Sequence, residues 1–256
     1  MKVERAWATF MQNDLNLTLG LLLTANSPYF RDTEFLPEAT LLRGLTYFQL
    51  CDYPEVQRLL LDFEGTYRPL QAELRAFLDR YATAEGRELA DQAFDAYFRD
   101  PHAGSDLQQA LFLKVLRHRD LAALVRHIDM MDDEVARIDN QRTIWRDGVG
   151  ATVKEQIERD RLRYKRRAGQ ILLQQLAQEY EYVSDLLTQS EIIRFEVVDA
   201  QRVDYEYRAT NPLVETGGDR VVDFSTSKTV IYWPFNGEFW NDELGFYRYT
   251  EAPSCQ

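Results

Sequence analysis

The chain has 256 residues, 45% of them hydrophobic and 28% charged, and its 42 acidic against 30 basic side chains give a net charge of −12. That length supports a sizeable core in one large domain or two smaller ones. The acidic balance argues against a nucleic-acid partner, which needs clustered Lys and Arg, and no apolar run nears the roughly 18 residues of a transmembrane segment.

The chain opens inside a helical pattern, with Ala6, Phe10 and Met11 on one side, and no continuous apolar leader precedes Asp14. This reads as a fragment whose signal sequence and upstream repeats are missing. Ser27-Pro28 and Leu36-Pro37 are helix-stopping dipeptides. Between Pro37 and Pro69, Leu41, Leu45 and Phe48, then Val56, Leu60 and Phe63, recur three and four residues apart. That spacing predicts two amphipathic helices meeting at "CDYP", Cys51 to Pro54, with Pro69 closing the pair.

The pair resembles a tetratricopeptide repeat. Gly44 and Tyr47 take the small and aromatic positions of its first helix, Cys51 the inter-helix turn, Tyr53 the aromatic after it, and Val56 the small packing position. It departs from the repeat at Cys51, where Gly is usual, and at Val56 and Phe63, where Ala is usual. A weaker copy precedes it, with Asn13-Asp14-Leu15 where Cys51-Asp52-Tyr53 lies. Two units about 38 residues apart imply a helical solenoid.

After "DPHAGSD", the stretch Ser105 to Gln108 has the form of a capping box opening a long helical stripe from Leu107 to Ile138. The two-glycine stretch "RDGVGA" predicts a turn, and a second stripe runs from Ile157 to Ala200. Together they predict a long antiparallel hairpin of coiled-coil character. "IIRFEVV" also alternates as a strand would, but no turn residue lies between Ala177 and Ala209, which favours helix. The basic run "RLRYKRR" reads as the solvated side of this helix, or else as a contact for an acidic partner or membrane surface. From Thr210 the texture changes: Val221 to Phe224 and Thr229 to Trp233 are β-branched and aromatic runs between turn residues, the pattern of a small hairpin. The expected fold is therefore mostly α: tetratricopeptide-like repeats over 1–104, the antiparallel helical hairpin over 105–208, and an aromatic β-containing tail over 209–256 folding back on the helices.

His102, His118 and His127 are scattered without a metal-ligand spacing, and no nucleophile elbow or phosphate loop is present. The expectation is a protein that is not an enzyme, with no catalytic residues, metal or cofactor. The two cysteines leave two readings: Cys51 as a buried free thiol in the turn, or Cys51 paired with Cys255, closing a loop of about 200 residues in an oxidising compartment.

The tail segment "YWPFNGEFWNDELGFYRY" is too apolar to lie loose in water and too rich in Pro, Gly and Asn for a long helix. Its aromatics, Trp233, Phe235, Phe239, Trp240, Phe246 and Tyr247, are read as a structural clasp on the repeat helices, bringing Cys255 towards Cys51, or as a partner-binding surface. In the clasp, Trp233, Phe235 and Trp240 would be buried, and Glu238, Asp242 and Glu243 would cap helices or pair with arginines such as Arg43. A sugar-stacking platform would leave at least two of those rings open.

This segment with its terminal cysteine, together with "SPYFRDTEFLPEATLLRGLTYFQLCDY", resembles a group of bacterial envelope tetratricopeptide-repeat proteins associated with adventurous gliding motility. The resemblance implies a periplasmic, non-enzymatic scaffold or adaptor binding protein partners in an envelope or motility complex. The alternative is a peptidoglycan- or glycan-associated module that uses the aromatic segment.

Overall fold

The computed structural model describes residues 2–31, 34–82, 89–98, 105–210, 235–251 and 253. Over these the protein is helical except in its C-terminal tail: α1 (Lys2–Met11), α2 (Leu15–Ala25), α3 (Pro28–Arg31), α4 (Pro37–Gln49), α5 (Tyr53–Tyr81), α6 (Ala90–Phe98), α7 (Asp106–Leu116), α8 (Arg119–Asp139), α9 (Thr143–Trp145) and α10 (Ala151–Thr210). Two compact units are interleaved in sequence. The first comprises Met1–Asp32, Leu36–Arg68 and Val183–Gln256, the second Thr33–Phe35 and Pro69–Tyr182.

In the first unit, α1–α2 and α4–α5 are helical hairpins joined by the same turn. Asn13 and Cys51 adopt φ of 60° and 59°. The amides of Asn13 and Cys51 bond the carbonyls of Phe10 and Phe48, and those of Asp14 and Asp52 bond Thr9 and Tyr47, each at 2.9–3.0 Å. Each aspartate then caps the next helix: Asp14 Oδ1 accepts from Leu17 N at 3.1 Å and Asp52 Oδ1 from Glu55 N at 3.2 Å. A left-handed residue satisfies the outgoing helix's last carbonyls and an Asp satisfies the next helix's first amides. The turns at Asn13-Asp14 and Cys51-Asp52 thus share one backbone geometry. In the same unit Val3, Ala6, Leu21, Leu22, Ala39 and Leu42 form a buried cluster. The hydroxyls of Thr9 and Thr18 satisfy one another within the buried interior at 2.8 Å.

Also in this unit, the first half of α5 lies antiparallel to the last part of α10. Gln57 bonds Gln201 at 3.1 Å, and Glu64 meets both Ser190 and Arg194. Arg68 reaches Glu191 at 2.7 Å. Val183, Leu187, Ser190, Ile193 and Val197 form the buried face of α10 here, so "IIRFEVV" is helix and not strand.

Pro69 does not close a repeat, as the sequence pattern suggests: α5 runs through it to Tyr81. A mid-helix proline frees the carbonyl four residues earlier and crowds it. Here that carbonyl belongs to Gly65.

In the second unit, α7 and α8 lie antiparallel to the first part of α10. Asp139 pairs with Lys154, Asp132 with Arg161 and Lys114 with Glu179, and the His127 ring approaches Tyr164 at 5.5 Å. The expected hairpin is present, but its first arm is broken. The capping box at Ser105 and Gln108 forms as read, yet the helix stops at Leu116. His118 then caps α8, its Nδ1 accepting from Leu121 N at 3.4 Å. The stripe of apolar residues continues across the break, which is why the sequence reads as one helix. The glycine turn lies between α9 and α10, where Gly148 leaves helical geometry. Helix α6 lies directly on α10: a Cβ on Gly169 would sit 1.7 Å from the Ala90 carbonyl oxygen. Lys165 pairs with Asp95 and Arg166 with Asp91 along the same two helices.

Candidate functional site

The tail from 235 to 251 has neither helix nor strand. The proposed strands Val221 to Phe224 and Thr229 to Trp233 lie outside the described residues, as does the ring of Trp233. Gly237 and Gly245 take φ of 92° and 91°, in the region open to glycine, and a turn closes through Glu243 N to Trp240 O and Phe246 N to Glu243 O.

From Gly245 onward the chain runs antiparallel along α2. Gly245 N donates to Thr24 Oγ1 at 2.9 Å and Tyr249 N to the Asn16 carbonyl at 3.1 Å. The Asn16 side-chain amide acts as a second peptide group: its Nδ2 donates to Glu251 O at 3.1 Å and its Oδ1 accepts from Glu251 N at 3.0 Å. Between these anchors the Tyr247 carbonyl lies against the helix at Gly20, where a Cβ would stand only 1.7 Å from it. Mid-helix glycine costs roughly 1 kcal/mol relative to Ala; here it gives the tail's backbone access to the helix axis. Arg248 pairs with Asp14 at 3.1 Å.

The attachment is therefore a main-chain one, and the aromatic side chains behave differently from the clasp expectation. Phe235, Phe239 and Tyr247 pack on one another edge to face, with centroids 5.1–5.9 Å apart. Phe235 is nevertheless 44% exposed, Trp240 58% and Phe246 81%. Phe239 and Tyr247 are half-buried. Of the three rings whose burial would mark an aromatic clasp, the two described ones, Phe235 and Trp240, are open. The α2 face offers backbone polar groups and a glycine slot at this point, so hydrogen bonds hold the tail while Phe235, Trp240 and Phe246 stay open.

Arg43 meets Glu55 at 3.5 Å, and Glu251 is the tail acid beside it. Glu238, Asp242 and Glu243 are exposed. Partial burial raises the Glu251 carboxyl above the ordinary carboxylate range; Asp52 and Glu55 push it further and Arg43 opposes them. Burial likewise pushes Tyr47, beside the same group, up to about 12. A raised folded-state value stabilises the docked tail fully below the unfolded carboxylate value, and that contribution is lost as pH rises through the raised one. Glu251→Gln should therefore raise the melting temperature at neutral pH and flatten its dependence across the mildly acidic range, read by thermal melts.

Glu251 thus lies close enough to the Cys51-Asp52 turn to interact with Asp52. Cys51 is disulfide-bonded, and Cys255 is the chain's only other cysteine; Cys255 lies outside the described residues. Sequence reasoning did not single out Asn16, Gly20, Thr24 or Glu251. The available signal was Gly20 itself, a glycine inside the apolar run "LTLGLLLTA". Replacing Asn16 by Ala removes two hydrogen bonds and leaves the Glu251 peptide unsatisfied, for a loss of about 1–3 kcal/mol. Gly20→Leu should displace the tail outright, and in both variants amide exchange at Gly245, Tyr249 and Glu251 should accelerate while α4 amides stay protected.

Among the described residues no group of three or more His, Cys, Asp or Glu side chains is placed to hold a metal ion, and no helix is long and apolar enough to cross a membrane. No family model, curated protein or solved structure matches the chain.

Proposed function

We propose that the protein is a non-enzymatic scaffold of the bacterial periplasm that binds protein partners within an envelope complex, the gliding-motility machinery being the context its sequence resembles. The observation that carries this reading is the tail: a segment fixed to α2 by its main chain while Phe235, Trp240 and Phe246 stay exposed. Exposed aromatics on an anchored base favour association, because their rings are already ordered when a partner arrives. The duplicated turns at Asn13 and Cys51 support a tetratricopeptide-like repeat, and a disulfide at Cys51 fits an oxidising compartment.

The test is affinity capture from envelope extracts on immobilised full chain, against the double variant Trp240→Ala, Phe246→Ala. Specific proteins should be retained by the parent and lost by the variant at unchanged melting temperature. Equal retention by both would overturn the reading. The two open rings Phe235 and Trp240 favour one second reading, a platform that stacks on glycan rings. Co-sedimentation with purified peptidoglycan sacculi, abolished by Trp240→Ala, would select it.

A further inference from the structure

The last part of α10 carries a buried apolar seam and a second, exposed seam of mixed apolar and charged residues. Val183, Leu187, Ser190, Ile193 and Val197 face the interior of the first unit. On the outer side, Thr188, Glu191, Phe195, Val198, Arg202 and Tyr205 follow one another at alternating steps of three and four residues, the spacing that keeps a stripe facing a partner helix. Phe195 is 73% exposed, Val198 56% and Tyr205 67%. The side chains of Glu191 and Arg202 are half in solvent.

We propose that this seam is an isologous interface, on which a second copy of the chain docks its own α10 antiparallel about a two-fold axis between Glu196 and Val197. The charge pattern selects that occupant. In this register Phe195 meets the partner's Val198, Glu191 meets the partner's Arg202, and Thr188 meets the partner's Tyr205, each contact occurring twice by symmetry. A parallel pairing would instead set Glu191 against the partner's Glu191 and Arg202 against the partner's Arg202, which like-charge repulsion disfavours. Sliding the antiparallel pair by one heptad in either direction loses the Glu–Arg contacts, so a single register is specified. In the single chain, Arg202 holds Asp199 and Glu206 of its own helix at 2.8 Å, and Glu191 holds Arg68 at 2.7 Å. Such exposed pairs hold little energy and exchange readily for cross-helix contacts.

The experiment is sedimentation equilibrium of the intact chain over a wide concentration range. The parent should move from 30.0 kDa towards twice that mass with rising concentration. Phe195→Glu should hold it at the monomer mass, with circular dichroism confirming an unchanged helix content. Glu191→Arg and Arg202→Glu should each weaken the dimer at least tenfold, and the double variant Glu191→Arg, Arg202→Glu should restore it, because the swapped charges face each other across the axis. A parent that stays monomeric throughout, a dimer indifferent to Phe195→Glu, or a double variant no better than the singles would each overturn the proposal.

Discussion

Replacing Cys51 by Ser is expected to lower stability by roughly 4–5 kcal/mol, a melting-temperature loss on the order of 10 °C, if its bond is to Cys255. The magnitude comes from the length of the closed loop, about 200 residues between the two positions, which removes much freedom from the unfolded state. The same pairing predicts that Cys255→Ser costs as much as Cys51→Ser and that the double variant costs no more than either. Cys51→Gly separates bond from backbone. It loses the disulfide but relieves a left-handed conformation (φ 59°) that costs a side-chain-bearing residue about 1–2 kcal/mol. It should therefore be less destabilising than Cys51→Ser. Thermal melts of the parent and the four variants with and without reductant check the set; a parent insensitive to reductant would sink it.

Much of the helical architecture could be read from periodicity, because burial of one face writes a period into the chain wherever a helix meets a core. The Cys51-Asp52 and Asn13-Asp14 turns were legible for a different reason: an Asp after a left-handed residue is a local device, and its sequence and geometry share the same few positions. Breaks were harder. At Pro69 the sequence announces a stop that the backbone does not make, and α5 continues to Tyr81. At His118 the backbone breaks where no proline or glycine stands, because an imidazole serves as the cap. The site was legible only in outline. Aromatic content indicated that the tail must dock, but composition weighs side chains, whereas the docking runs through the Asn16 amide and the bare Cα of Gly20. The outer seam of α10 is equally invisible to a reading that assigns each helix one buried face.

Truncation after Lys228 is expected to be the most damaging change. It removes the main-chain anchors on Asn16 and Thr24, the Arg248–Asp14 pair and Cys255 together. The groups left on α2 do not all suffer equally. Thr24 Oγ1 still bonds the Gly20 carbonyl at 3.2 Å, and the Asn16 amide returns to water. The main losses are then the cover over Gly20, where the helix backbone becomes open to solvent, and, with Cys255 as the partner of Cys51, the loop constraint. A fall in melting temperature of more than 10 °C follows, with helix content largely retained because the core around Leu22 and Leu42 is built without the tail. Restoring residues 229–256 as a separate peptide at high concentration should recover part of the loss in the parent sequence and none in Gly20→Leu, since only the glycine admits the Tyr247 carbonyl. A truncated chain that melts with the parent would mean that the tail contributes no stability, leaving its exposed rings to a partner alone.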